Sequence, residues 1–315
     1  MTTLIATSVV RGSRQGESHG GVYLIDLARQ RAMQAVDWNA MDIDWQGRGW
    51  DRGLRGIDFD GDRIFIAASD ELFVFDKDFK QIGSYRCAYL KHCHEIFRYR
   101  RRLYLTSTGF DSILGFDLDE NAFSWGLSIQ STAKGLVGTP FLPTGDKGPA
   151  ASNELHLNSV VCTNRGLYFA GLKTGGLYVY DGRRIVQGVS LPAGTHNARP
   201  YKDGVLFNDT RKDIVRFVKR EGPERVFKVP RYDPAELTHT DFDDSRTARQ
   251  AFGRGLCQIT DSLIAAGSSP STVTLHNLES MQTTLSVNLS MDVRSAIHGL
   301  EVWPYDSLPE QEASG

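Results

Sequence analysis

Short apolar runs alternate with polar turns along the whole chain, and no window sustains apolar residues at i, i+3, i+4 and i+7. The pattern predicts strands almost throughout, with residues 234–249 as the one place for a turn or two of helix. One type of run recurs, rich in β-branched and aromatic residues and ending in aspartate: VYLID at Asp26, LFVFD at Asp76, ILGFD at Asp117 and LYVYD at Asp181. Two later copies lose the acid, DIVRF at Phe217 and TVTLHN at Asn277. A second apolar run precedes most of them by 12 to 14 residues: RIFIA, RLYLT, GLYFA, GVLFN and SLIAAG, each after a polar turn. A third run before that turn and a fourth after the aspartate give four short antiparallel strands per unit, and the unit occurs six times.

This predicts an all-β chain, a six-bladed β-propeller of four-stranded antiparallel blades, with residues 1–304 as a single domain and 305–315 as a flexible tail. IHGLEVW near the C-terminus reads as an inner strand, and LIATSVV, GGVYLID and RAMQAVDW supply its three partners. The last blade is therefore expected to be closed by strands from both chain ends. The repeat resembles the six-bladed propeller superfamily of NHL-repeat, gluconolactonase-like and strictosidine-synthase-like proteins over nearly the whole chain. It resembles bacterial propellers of no assigned activity more than any of those enzymes, so the resemblance implies an architecture and leaves the chemistry to the residues.

Composition narrows the partners. With 36 basic and 38 acidic residues in 315, the chain has no overall field to attract nucleic acid or an anionic membrane. The one dense basic cluster, residues 98–102, falls on a predicted turn and reads as solvated surface. No apolar run reaches the roughly 18 to 20 residues that span a bilayer. Four scattered cysteines and no leader-like N-terminus point to a cytoplasmic protein with reduced thiols. Nucleotide-binding and hydrolase motifs are missing, so no nucleotide cofactor is expected.

Candidate chemistry comes from aligning the units on an apolar position of the second strand. Nine residues before Ile64, Leu103, Leu167, Val205 and Leu263 stand Arg55, His94, Asn158, His196 and Arg254; the similarity of IHGLE to LRGID adds His298. In a propeller these positions ring the channel mouth. Only 8 of the 315 residues are histidine, yet three fall on these six positions, and none of the six is apolar. His92 and His156 stand two residues earlier, nearer the mouth, and period two turns Glu95 away from His94. Asn197 and Arg199 flank His196, and the segment 45–55 brings Trp50 and Arg52 to the first inner strand as an aromatic and cationic wall.

Six polar groups with permanently charged Arg55 and Arg254 among them call for an anion on the axis. His94, His196 and His298 are the acid–base candidates, and together they suit a divalent transition metal better than calcium, which prefers carboxylates. Long connections at 130–154 and 231–252 are expected over the same face as lids, the second carrying His239 and Asp241. The leading expectation is an enzyme, a lyase, isomerase or hydrolase, acting on a small anionic molecule. The alternative is a non-catalytic propeller that binds a ligand or a protein partner, which should instead present apolar loop tips.

Overall fold

In the computed structural model, which describes residues 2–14, 16–39, 53–241 and 248–309, strands form where the alternation predicts them and no helix appears among the described residues. β1 (Thr3–Val10), β2 (Ser18–Asp26) and β3 (Arg31–Asn39) form one antiparallel sheet whose inner member is β25 (Ser295–Val302), paired to β1. The predicted closure by both ends is therefore present, and this sheet is blade 6. Thr7 fastens it: its hydroxyl accepts from the Gly299 amide at 2.8 Å and donates to the Arg55 carbonyl on the next blade.

Blade 1 comprises β4 (Ile57–Asp60), β5 (Arg63–Ala67), β6 (Glu71–Phe75) and β7 (Gln81–Arg86). Blade 2 comprises β8 (Ile96–Tyr99), β9 (Arg102–Ser107), β10 (Ser112–Asp117), β11 (Ala122–Thr132) and β12 (Gly135–Phe141). Blade 3 runs β13 (Leu157–Thr163), β14 (Gly166–Gly171), β15 (Gly176–Tyr180), β16 (Ile185–Ser190). Blade 4 runs β17 (Thr195–Tyr201), β18 (Gly204–Asp209), β19 (Ile214–Lys219), β20 (Arg225–Lys228). Blade 5 runs β21 (Leu256–Gln258), β22 (Leu263–Ser268), β23 (Thr272–Asn277), β24 (Gln282–Asn288).

The recurrent aspartate has a local cause. Asp26, Asp117 and Asp181 each accept, through Oδ1, the amides two and three residues on, and Asp76 accepts those two and four on. They thereby build the turn between third and fourth strands. Asn277 does the same with its amide oxygen, accepting from Glu279 and Ser280 at 2.8 and 2.9 Å.

Apolar side chains gather in the grooves between neighbouring blades, as with Phe65, Leu72 and Val74 of blade 1 against Leu103, Leu105 and Phe116 of blade 2. The outer strands β7 and β16 carry only exposed and half-buried positions, so packing falls off outward.

One lid expectation changes. The first half of 130–154 extends β11 and turns back as β12, a fifth, outermost strand of blade 2, with Gln130, Ser131 and Thr132 paired to Val137, Leu136 and Gly135. Tyr305, assigned above to the tail, packs edge-on against Phe59 at 6.0 Å and Trp303 at 4.8 Å and donates to the Gly61 carbonyl. Among the described residues no helix is long and apolar enough to cross a membrane, and all four cysteines are free of disulfides.

Candidate functional site

The six aligned positions converge on the axis: Arg55, His94, Asn158, His196 and His298 are 1–6% exposed, and Arg254 is half-buried. Trp50 and Arg52 lie outside the described residues.

Three imidazoles form a cluster, with one ring nitrogen of each of His94, His156 and His196 lying within 4.8 Å of the others. The sequence alignment put His298 third; the structure puts His156 there. His156 has a left-handed backbone (φ 54°), so period two does not govern its direction and its ring turns in beside His94, centroids 5.2 Å apart. His298 lies 5.2 Å from the His94 ring, but its Nε2 accepts from the Arg254 guanidinium at 2.8 Å. That lone pair is engaged, which leaves Nδ1 carrying the proton.

Hydrogen bonds fix the tautomers of the other three. His94 Nδ1 stands 2.7 Å from the His92 carbonyl and 2.8 Å from the Thr108 hydroxyl, which itself donates to the Leu157 carbonyl. His156 Nδ1 faces the Asn153 side-chain oxygen at 3.0 Å, and His196 Nδ1 faces the Gly194 carbonyl at 3.3 Å. Acceptors against Nδ1 place the proton there in each ring, so Nε2 carries a lone pair. The His196 Nε2 is buried with no partner among the described residues.

Electrostatics keep these rings neutral. Burial, then the Arg55 charge, holds His94 well below the usual imidazole range. Burial and then Arg254 do the same for His196 and bring His156 down to about 4. His298 is lowered by burial, Arg254 and Arg55 in that order. Three neutral imidazoles whose outer N–H groups are tied to oxygen form the donor set expected around a bound transition ion.

Asp111 holds His156 in place. Its buried carboxylate accepts from the Ser152 hydroxyl (2.7 Å) and from the amides of Glu154 (2.6 Å), Leu155 (3.2 Å) and His156 (3.0 Å).

Below the cluster the channel changes sign. Glu95 does not turn away from the axis: His92 is left-handed (φ 54°) and residues 92–95 precede β8, so they lack strand alternation. The carboxylate of Glu95 accepts from Arg199 at 2.8 Å, Asn197 at 3.4 Å and the Val160 amide at 3.2 Å. Asn197 sits at a bulge in β17 with φ 52°, which sends His196, Asn197 and Arg199 all inward. Asn158 is saturated by its neighbours, donating to the Thr195 carbonyl at 2.9 Å and accepting from Ser159. A cavity of about 10 Å³, the room of one water, is lined by His94, His298, Glu95 and Glu301 among others. Burial pushes Glu301 up to about 8 against the pull of Arg199, and Asp58 up to about 6.

The mouth is cationic and aromatic. Phe252, 5.5 Å from the His196 ring, has the guanidiniums of Arg11, Arg249 and Arg254 at 4.8–4.9 Å from its centroid. Beside it opens a cleft of about 540 Å³ lined by Leu172, Gly194, Thr210, Arg211, Asp213, Arg249 and Phe252. Sequence reasoning missed Arg11 and Phe252, which no repeat position marks. His92 is exposed, 3.3 Å from the Ser69 hydroxyl, and His239 pairs with Asp292 at 3.2 Å.

No family model and no curated protein matches the chain. Among solved structures it is similar to the virginiamycin B lyase from Staphylococcus aureus with quinupristin, at 12% identity over 75% of this chain and 70% of that one, TM-score 0.45. It is also similar to the Cps50 (Swd1) β-propeller domain of Myceliophteria thermophila, at 12% over 80% and 97%, TM-score 0.47. Apo AztD from Citrobacter koseri gives 9% over 92% and 82%, TM-score 0.48. Likenesses this distant carry no argument about activity. The class rests on the chain's own fold and site: a six-bladed β-propeller with a histidine cluster on its axis that could hold a metal ion.

Proposed function

We propose that the protein is an enzyme that acts on a small anionic organic substrate at the channel mouth, with a divalent transition metal held by His94, His156 and His196. The observation that carries this reading is the common tautomer of the three rings, Nδ1–H tied to an oxygen in each. A metal bound there would polarise a substrate oxygen or acidify a water. The chain's own residues do the rest. Arg254 and Arg55 attract the anion, and Arg254 also holds His298 with its Nδ1 proton available in the site. Phe252 walls the mouth against bulk water, and elimination, isomerisation or hydrolysis fits this set. The scatter of exposed large apolar residues among the described residues supports an enzyme over a docking module: Ile82, Val137, Val186 and Val226 lie singly on the outer strands β7, β12, β16 and β20, Met281 on the β23–β24 turn, Leu308 beyond β25, and Leu142 alone on the connection after β12, so they form no shared apolar loop face.

Elemental analysis of untagged protein tests the reading. Near-stoichiometric transition metal is expected in the wild type and in His298→Ala, and its loss in His94→Ala, His156→Ala and His196→Ala. Metal-free wild type that also fails to take up zinc or manganese at micromolar concentration overturns it.

A further inference from the structure

The cleft beside Phe252 is not used by the chemistry above, although it opens next to it. Its lining combines apolar Leu172 and Phe252 with cationic Arg211 and Arg249. Asp213 is the acid in the lining, and its carboxylate is shared between Arg249 at 2.7 Å and Arg231 at 2.5 Å. One negative charge thus faces two guanidiniums there, and the exposed Arg211 has no acidic partner among the described residues. The Arg211 stem lies close to Gly194, the residue whose carbonyl fixes the His196 tautomer. Cleft and cluster meet through one pair of rings, Phe252 against His196.

Resting on the proposed function, we infer that the cleft is a second anion subsite, so that the substrate carries two anionic groups joined by a short apolar body. One group lies at the histidine cluster and Arg254, the other at Arg211 and Arg249, and the body lies along Phe252 and Leu172. A guanidinium fork takes a carboxylate or a phosphate equally well in geometry. The shared chemistry is therefore a dianion of roughly one ring or a few carbons, which fits easily in a cleft of this size.

Calorimetric titration of the purified protein, its metal content measured beforehand, separates the claims. The probes are butyrate against succinate and glutarate, benzoate against terephthalate, and benzoate against 4-phosphonobenzoate. At least one dianion is expected to bind tenfold or more tightly than its monoanion; Arg211→Ala should erase that excess and leave monoanion affinity and metal content unchanged. Preference for the phosphonate or the dicarboxylates identifies the second group. Equal binding of every dianion and its monoanion, or an excess that survives Arg211→Ala, overturns the subsite even where metal is present. An Arg211-dependent excess in a protein that takes up no metal leaves the subsite standing and overturns the metal reading alone.

Discussion

Four donors converge on the Asp111 carboxylate, and three of them are backbone amides of the segment that ends at His156. A buried carboxylate so placed positions the histidine without touching the ligand. Asp111→Asn keeps the size but sets an NH₂ group against amide donors. It is expected to lower stability by about 1–3 kcal/mol and to weaken zinc binding to the folded protein roughly 10- to 100-fold. A titration of metal into the variant below its melting temperature checks this; unchanged metal affinity in a destabilised protein would make Asp111 a purely structural residue. At this scale the sequence was least legible. The ring from Arg55 to His298 follows from counting along a repeat, but His156 and Glu95 depend on left-handed residues and a strand that starts late. No periodicity signals either feature.

At the scale of strands, legibility was high because the same physical demands repeat from blade to blade, the turn-building acid or amide in five of the six. A third strand that ends in Asp or Asn builds its own turn, and an apolar second strand fills the groove between blades, so each unit confirms the next. What escaped was the continuation of β11 into β12. Inner strands approach one another closely at glycines that follow ring residues. A Cβ at Gly299 would stand 2.1 Å from the Arg55 carbonyl oxygen, and one at Gly56 would stand 2.6 Å from the Ile96 amide nitrogen. Gly299→Ala is therefore expected to cost about 2–3 kcal/mol by overpacking β25 against blade 1, read as a lower urea midpoint with unchanged slope. Wild-type stability in this variant would mean that the blades can separate at the axis without loss.

For the whole molecule, the channel runs from a cationic, histidine-lined mouth to a layer where Asp58, Glu95 and Glu301 share Arg199. Glu301, raised to about 8 by burial, holds its proton in the folded chain where the unfolded chain has released it. Its contribution is complete below the unfolded carboxyl value and is lost as pH rises towards 8. Glu301→Gln keeps the neutral form at every pH. Its melting temperature should come close to wild type near pH 5 and exceed it by roughly 3–6 °C at pH 8.5, a difference of about 2–4 kcal/mol. Parallel melting curves across that interval would place the charge elsewhere in the layer.

Blade 6 also sets an order on synthesis. β1 is made first, but its inner partner β25 is made some 290 residues later, as the Thr7–Gly299 separation records. At ribosomal speed that is roughly 15–60 s, during which the leading strands carry an open edge. His94, His156 and His196 emerge well before Arg254 and His298, so the three clustered imidazoles are translated before the two residues that complete the axial ring. The nascent chain therefore carries the whole histidine cluster before it has a closed ring around it.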